Sequence, residues 1–178
     1  MTAELADAAT REDWGPQRSR TVTWHEPGPS TAKGLSMAGV DYLRAIAAGE
    51  LPQPPIAGLM RFEMVSADPG RVVFTCEPDE SAYNPIGAVH GGLVCTLLDS
   101  VTGCAVHSTL PQGKGYTSVE IKVNYLRPVL ADTGPLTATG QVIKGGNRVI
   151  FAEGNVITSA GDLVATASST LLVRPKPA

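Results

Sequence analysis

Between Glu80 and Lys114 the chain carries one formally charged side chain, Asp99. Around it, from Leu93 to Leu110, stand aliphatic residues, glycines and hydroxyls at helical spacing. A helix exposed on one side shows charges there, so this one should be buried nearly all round. A carboxylate in such a place is costly without partners, since even an unpaired neutral polar group costs about 2–7 kcal/mol. Asp99 is therefore either a structural group bonded to nearby hydroxyls or a loop, or a general base or nucleophile. The residue alone does not choose between these.

His90-Gly91-Gly92 stands at the start of the same helix, with His90 nine residues before Asp99. Glycines form helices poorly, but they leave the first N–H groups uncovered, and those groups with the helix dipole suit an oxyanion. A tight loop-to-helix junction would also use glycine. Val94, Leu97, Leu98, Val101 and Ala105 form one apolar stripe, whereas Asp99 shares another side with Gly92, Thr96 and Gly103. Gly91 and Asp99 are eight residues apart, which is roughly 12 Å along one helix. A reacting carbonyl needs its oxyanion donor and its attacking group both within about 3 Å. One helix cannot serve both ends of so small a group. Two copies packed antiparallel about a two-fold axis can, by setting Gly91 of one beside Asp99 of the other. A catalytic Asp99 thus implies a homodimer with two shared sites.

Other candidates have plainer alternatives. His90 suits a positioning role, and His107, seventeen residues on, lacks zinc spacing. Asn84 before Pro85 reads as a turn residue, but its place six residues ahead of His90 favours function. Arg148, Arg127 and Lys122 could each hold a phosphate or simply be solvated, and Arg148 beside Gly145-Gly146 is the choice among them. Those two glycines mark a hairpin, since no helix follows to make a phosphate loop. The GxSxG elbow of serine hydrolases is missing. Cys95 and Cys104 read as small packing residues.

These groups need a frame. Leu35–Ala48 has helical spacing, PQPPIAGLM turns the chain, and strands follow at 60–66 and 71–77 around Asp68-Pro69-Gly70. After the long helix, Val119, Ile121, Val123 and Tyr125 alternate with polar residues until Pro128. Strands at 136–144, 148–158 and 163–173 are separated by two hairpin turns. An α+β domain at 35–178, with an antiparallel sheet wrapped around one long central helix, buries all of this economically. Residues 1–34, with Pro16, Pro27 and Pro29, read as an extended or partly disordered N-terminal arm. At 178 residues and 43% hydrophobic, the chain suits one domain with a sizeable core. A net charge of −3 argues against a nucleic-acid partner, and the polar groups within 93–110 argue against a membrane span. Three cysteines without a CxxC pair, and an acidic N-terminus, predict a cytoplasmic protein.

The segments Asn84-Pro-Ile-Gly-Ala-Val-His90-Gly91-Gly92, Asp99, and Tyr116-Thr-Ser118-Val-Glu-Ile-Lys-Val-Asn124-Tyr-Leu-Arg-Pro128 resemble the PaaI-like thioesterases, the phenylacetate-degradation branch of the hotdog superfamily. The resemblance runs from about Leu35 to Val173. It implies a hotdog fold, dimers that pair into tetramers, and hydrolysis of acyl- or aryl-acyl-CoA with no metal and no cofactor, coenzyme A being part of the substrate. By that pattern Gly91 N–H holds the thioester oxygen, Asn84 and His90 shape its pocket, and Asp99 of the opposite subunit activates water or attacks. Ser118 assists Asp99 from the same chain, with Thr117 as its substitute, since strict alternation turns Ser118 away from Val119, Ile121 and Val123. Gly92, Thr117 and Arg148 are the expected substrate-binding residues. A non-catalytic acyl-CoA binding module is the alternative. A hydratase on this fold would want a paired His and carboxylate or amide after the strand-to-helix turn, which is not seen.

Overall fold

The computed structural model describes residues 14–175. Three helices, α1 (Pro27–Leu35), α2 (Gly39–Ala47) and α3 (Pro55–Met60), precede the strands β1 (Phe62–Asp68) and β2 (Arg71–Cys76). The long helix α4 (Gly91–His107) follows. Then come β3 (Lys114–Tyr125), β4 (Leu136–Lys144), β5 (Val149–Thr158) and β6 (Leu163–Pro175). All six strands form one antiparallel sheet in the order β1-β2-β4-β5-β6-β3, with α4 packed on one face. This is the hotdog arrangement that the resemblance implied.

Apolar burial fixes α4 on the sheet. Leu97, Leu98, Val101, Ala105 and Val106 are wholly buried, each large aliphatic side chain contributing about 1.5–3 kcal/mol. The buried Thr102 hydroxyl donates to the Leu98 carbonyl at 2.9 Å, so it costs no unpaired group. Glycine sets how closely the helix approaches. Gly140 on β4 faces Gly154 on β5, and a Cβ on Gly140 would overlap the Val101 carbonyl. A Cβ on Gly154 would come within 3.1 Å of Leu98 and Thr102 side-chain atoms.

The N-terminal region departs from expectation in two places. Pro27 and Pro29, taken as marks of extended chain, open α1 instead. Proline is tolerated in a helix's first turn because the N–H groups there lack intrahelical acceptors anyway. Pro55 does the same for α3, inside the segment expected only to turn the chain. The expected 35–48 helix is α2 alone, with Gly39 N–H donating to the Leu110 carbonyl at 2.9 Å and docking it on the end of α4. Residues 15–26 carry no helix or strand, and residues 1–13 of the expected arm lie outside the described residues. Among the described residues, no helix is long and apolar enough to cross a membrane.

Gly140→Ala should lower stability by at least about 1–3 kcal/mol, because the obstacle is helix backbone that cannot rotate aside. Urea unfolding followed by circular dichroism measures it, and a wild-type midpoint would refute the packing account.

Candidate active site

The start of α4 is built around His90. Its φ of −61° and ψ of 132° make it the N-cap, and its Nδ1 accepts the Gly92 N–H at 2.8 Å, which leaves the ring proton on Nε2. The His90 N–H itself donates to the Ala82 carbonyl at 2.7 Å. Of the two glycine N–H groups expected to be uncovered, Gly92's is therefore already engaged. Gly91 N–H has no acceptor among the described residues. The Tyr125 hydroxyl donates to the Gly91 carbonyl at 2.9 Å, holding the next peptide, the one whose N–H belongs to Gly92. A Cβ at 91 would sit 3.1 Å from the Tyr125 ring, so a larger residue there requires that exposed ring to shift.

Asn84 is a turn residue, and its Oδ1 accepts the N–H groups of Ile86 and Ala88, each at 3.1 Å. That turn brings the chain back to His90. Asn84 and Gly91 line one cleft of about 320 Å³ together with Tyr125 and Arg127. His90 and Gly92 face a second cleft of about 540 Å³ with Leu93 and Thr96. Neither cleft reaches Asp99 or Ser118.

Asp99 is half-buried just under one turn beyond Thr96 and lines neither cleft, and the Ser118 hydroxyl donates to its Oδ1 at 2.9 Å. Oδ2 has no partner among the described residues. Strict alternation, which turned Ser118 away from the helix, is corrected by a β-bulge. Ser118 pairs with Leu171 and Glu120 with Thr170, so Val119 is an extra residue on β3. A bulge shifts the side-chain phase by one. Tyr116 and Ser118 before it face α4, as do Ile121 and Val123 after it, while Val119 is 64% exposed. Ser118 also lies within β3, not at its start. Thr117 is exposed on the opposite face and does not substitute for Ser118 at Asp99.

α4 is not closed all round either. Cys95, Thr96, Asp99 and Ser100 are only half-buried, so the carboxylate's side of the helix lies partly open. One turn past Asp99, Tyr116 fills the space over Gly103, where a Cβ would meet its ring at 2.8 Å. Burial pushes the Tyr116 hydroxyl well above its usual range, and its neighbours Cys104 and Asp99 add to this. Tyr116 and Tyr125 escaped the sequence reading because they look like ordinary inward strand residues. Arg148 is exposed at the β4–β5 hairpin, where its carbonyl accepts the Val173 N–H at 2.8 Å. Val173 pairs with Tyr116, so Arg148 shares a transverse row with the Asp99 end of β3.

Comparison with known proteins agrees with this architecture. Residues 86–165 match the family model described as the thioesterase superfamily. Human acyl-coenzyme A thioesterase 13 is 31% identical over 113 residues, covering 63% of this chain and 79% of that protein. A phenylacetic acid degradation-related protein from Ralstonia eutropha superposes with a TM-score of 0.67 at 29% identity, over 74% of this chain and 98% of the other. A Streptococcus mutans protein bound to acetyl CoA does so with a TM-score of 0.59 at 29% identity, over 66% and 91%.

Burial pushes the thiols of Cys76 and Cys104 up to about 12. Both should resist alkylation by iodoacetamide in the native protein at pH 8, where only ~10⁻³–10⁻⁴ of each is thiolate, and react once urea unfolds it. Because the folded state holds these protons longer than the unfolded chain, stability should fall as pH rises above about 9. Rapid native labelling of either, or unfolding midpoints flat from pH 8 to 10.5, would contradict this.

Proposed function

The chain belongs to the thioesterase superfamily, and from that premise we propose that it hydrolyses acyl- or aryl-acyl-CoA at two sites shared between the subunits of a homodimer. One observation carries the shared site. Asp99 is held by Ser118 on a half-open helix face, while the unengaged Gly91 N–H lies roughly 12 Å back along that helix. Each is half of a site that a second, antiparallel copy can complete. The unpaired outer edge of β3 offers the place for that copy. Pairing of such dimers into tetramers extends the same reading.

In the proposed reaction the thioester oxygen accepts the Gly91 N–H, while Tyr125 and His90 fix the following peptide through the Gly91 carbonyl and the Gly92 N–H. The positive end of α4 favours the negative charge that develops there. His90 and Asn84 keep the Gly91 N–H exposed, His90 by capping Gly92 instead and Asn84 through its turn. The partner subunit's Asp99 takes a proton from water, whose oxygen bonds to the carbonyl carbon. The C–S bond then breaks, and the coenzyme A sulfur takes up the proton. Direct attack by the carboxylate would use the same geometry, with water cleaving the anhydride afterwards. Water is the only co-reactant, so no cofactor is invoked. Arg148, exposed in the row of Tyr116, is the residue proposed to meet a coenzyme A phosphate. Thr117 and Gly92 complete the proposed substrate contacts. The acetyl-CoA held by the Streptococcus mutans neighbour supports a coenzyme A thioester as ligand. The free thiols Cys76, Cys95 and Cys104 support a reducing, cytoplasmic setting.

Asp99→Asn should lower kcat about 10²–10⁴-fold across a panel of acyl-CoAs. Gly91→Pro removes the N–H, His90 already having the backbone angles a following proline requires, and should cost about 10²–10³-fold, whereas Gly91→Ala, which adds only the Cβ beside Tyr125, should cost far less. Co-refolding these two inactive variants in equal amounts should restore about a quarter of wild-type activity, since each heterodimer rebuilds one of its two sites. Wild-type rates for Asp99→Asn would remove the catalytic role. No rescue on mixing would refute the shared site, and binding without turnover by the wild type would favour a sensing module.

A further inference from the structure

The larger cleft beside the start of α4 is not needed to explain the chemistry. It opens at His90 and Gly92, next to where the thioester would sit, and runs along Leu59, Met60, Ala82 and Leu93 to a charged far wall. At about 540 Å³ it falls within the range of small-molecule sites. Its far wall is made partly by the irregular segment before α1. Arg20 of that segment reaches over α3, donating from Nη2 to the Leu59 carbonyl at 2.6 Å, with Nη1 3.9 Å from Asp79. Arg61 donates from Nη1 to the same carboxylate at 2.8 Å and from Nε to the Glu77 carbonyl at 2.6 Å. Asp79 is further fixed by the Ser81 hydroxyl and by the Ser81 N–H at 2.9 Å, and these two bonds, with the two arginines, hold its carboxyl below the usual range. The segment lies close on the helix, since a Cβ on Gly58 would stand 3.2 Å from the Thr23 carbonyl.

We infer that this cleft takes the acyl group of the substrate and that residues 18–23 form a strap whose Arg20, seated on Leu59 and Asp79, sets the longest acyl chain admitted. The inference rests on the thioesterase reading and deepens it. An apolar tail fills the inner cleft without loss. A tail reaching the far wall would strip water from two guanidinium groups and a carboxylate while offering no hydrogen bond in return. Each methylene past that point is disfavoured, so the cleft suits short or medium chains and single aryl rings. Arg20 does not touch the reacting atoms. It is a specificity residue supplied by a segment outside the core of helix and sheet.

The test measures kcat/KM of the full-length protein on straight-chain acyl-CoAs from about two to sixteen carbons. For the wild type, a fall of roughly 10-fold or more beyond some length is expected. Arg20→Ala, and separately a chain beginning at Pro27, should move that limit to longer chains by about two carbons or more, with short-chain values within about twofold. A wild type without a limit, an unmoved limit, or an equal fall at every length would overturn the inference. Arg20→Ala carries the test if the shortened chain does not fold. A wild type that turned over no thioester would sink the hydrolase reading instead. The same length series, run as binding isotherms with the wild type and Arg20→Ala, would then judge the strap by the same shift.

Discussion

α4 can be buried only if the sheet comes to meet it, and that contact is the constraint on which the rest of the structure depends. The helix carries no formal charge apart from Asp99. Its aliphatic stripe must be covered, and the Gly140–Gly154 pair lets β4 and β5 approach closely enough to do so. With the helix pressed against the middle of the sheet, its start and its carboxylate are held at fixed heights. The positions of Gly91 and Asp99 are therefore set by packing as much as by helical rise.

The half-site around Asp99 depends on a local irregularity in an otherwise regular ladder. Without the extra residue Val119, a strand that turns Ile121 and Val123 toward α4 would turn Ser118 outward. The bulge lets one strand supply both packing and a hydroxyl donor on the same face. At the other half-site, capping does a comparable job. His90 takes up Gly92 N–H and leaves Gly91's, and Tyr125 holds the carbonyl of that same Gly91–Gly92 peptide. In the proposed dimer, these two half-sites are useful only to each other.

The segment before α1 adds a further layer. Its ties to the core are exposed ion pairs and one backbone contact, and exposed pairs of this kind contribute about 0–1 kcal/mol each. Such a segment contributes little to stability, but it can shape a cleft. A wall attached this weakly can differ between related chains without disturbing the helix and sheet that carry the chemistry.

Much of this was legible in the sequence, for physical reasons. The lone charge in an apolar helix, the glycines at its start, the period-two strands and the turn residues between them are local signals, and they placed α4 and all six strands and singled out Asn84, His90, Gly91 and Asp99 as candidates. The short helices α1 and α3 were missed because prolines that open a helix look, from sequence alone, like prolines that prevent one. Tertiary structure alone decided what depends on pairing and distance. The phase of Ser118 follows from its register against β6, and the engagement of Gly92 N–H from the rotamer of His90. Arg20 meets Asp79 because α3 and the loop after β2 lie side by side, across a separation in sequence that no local pattern encodes.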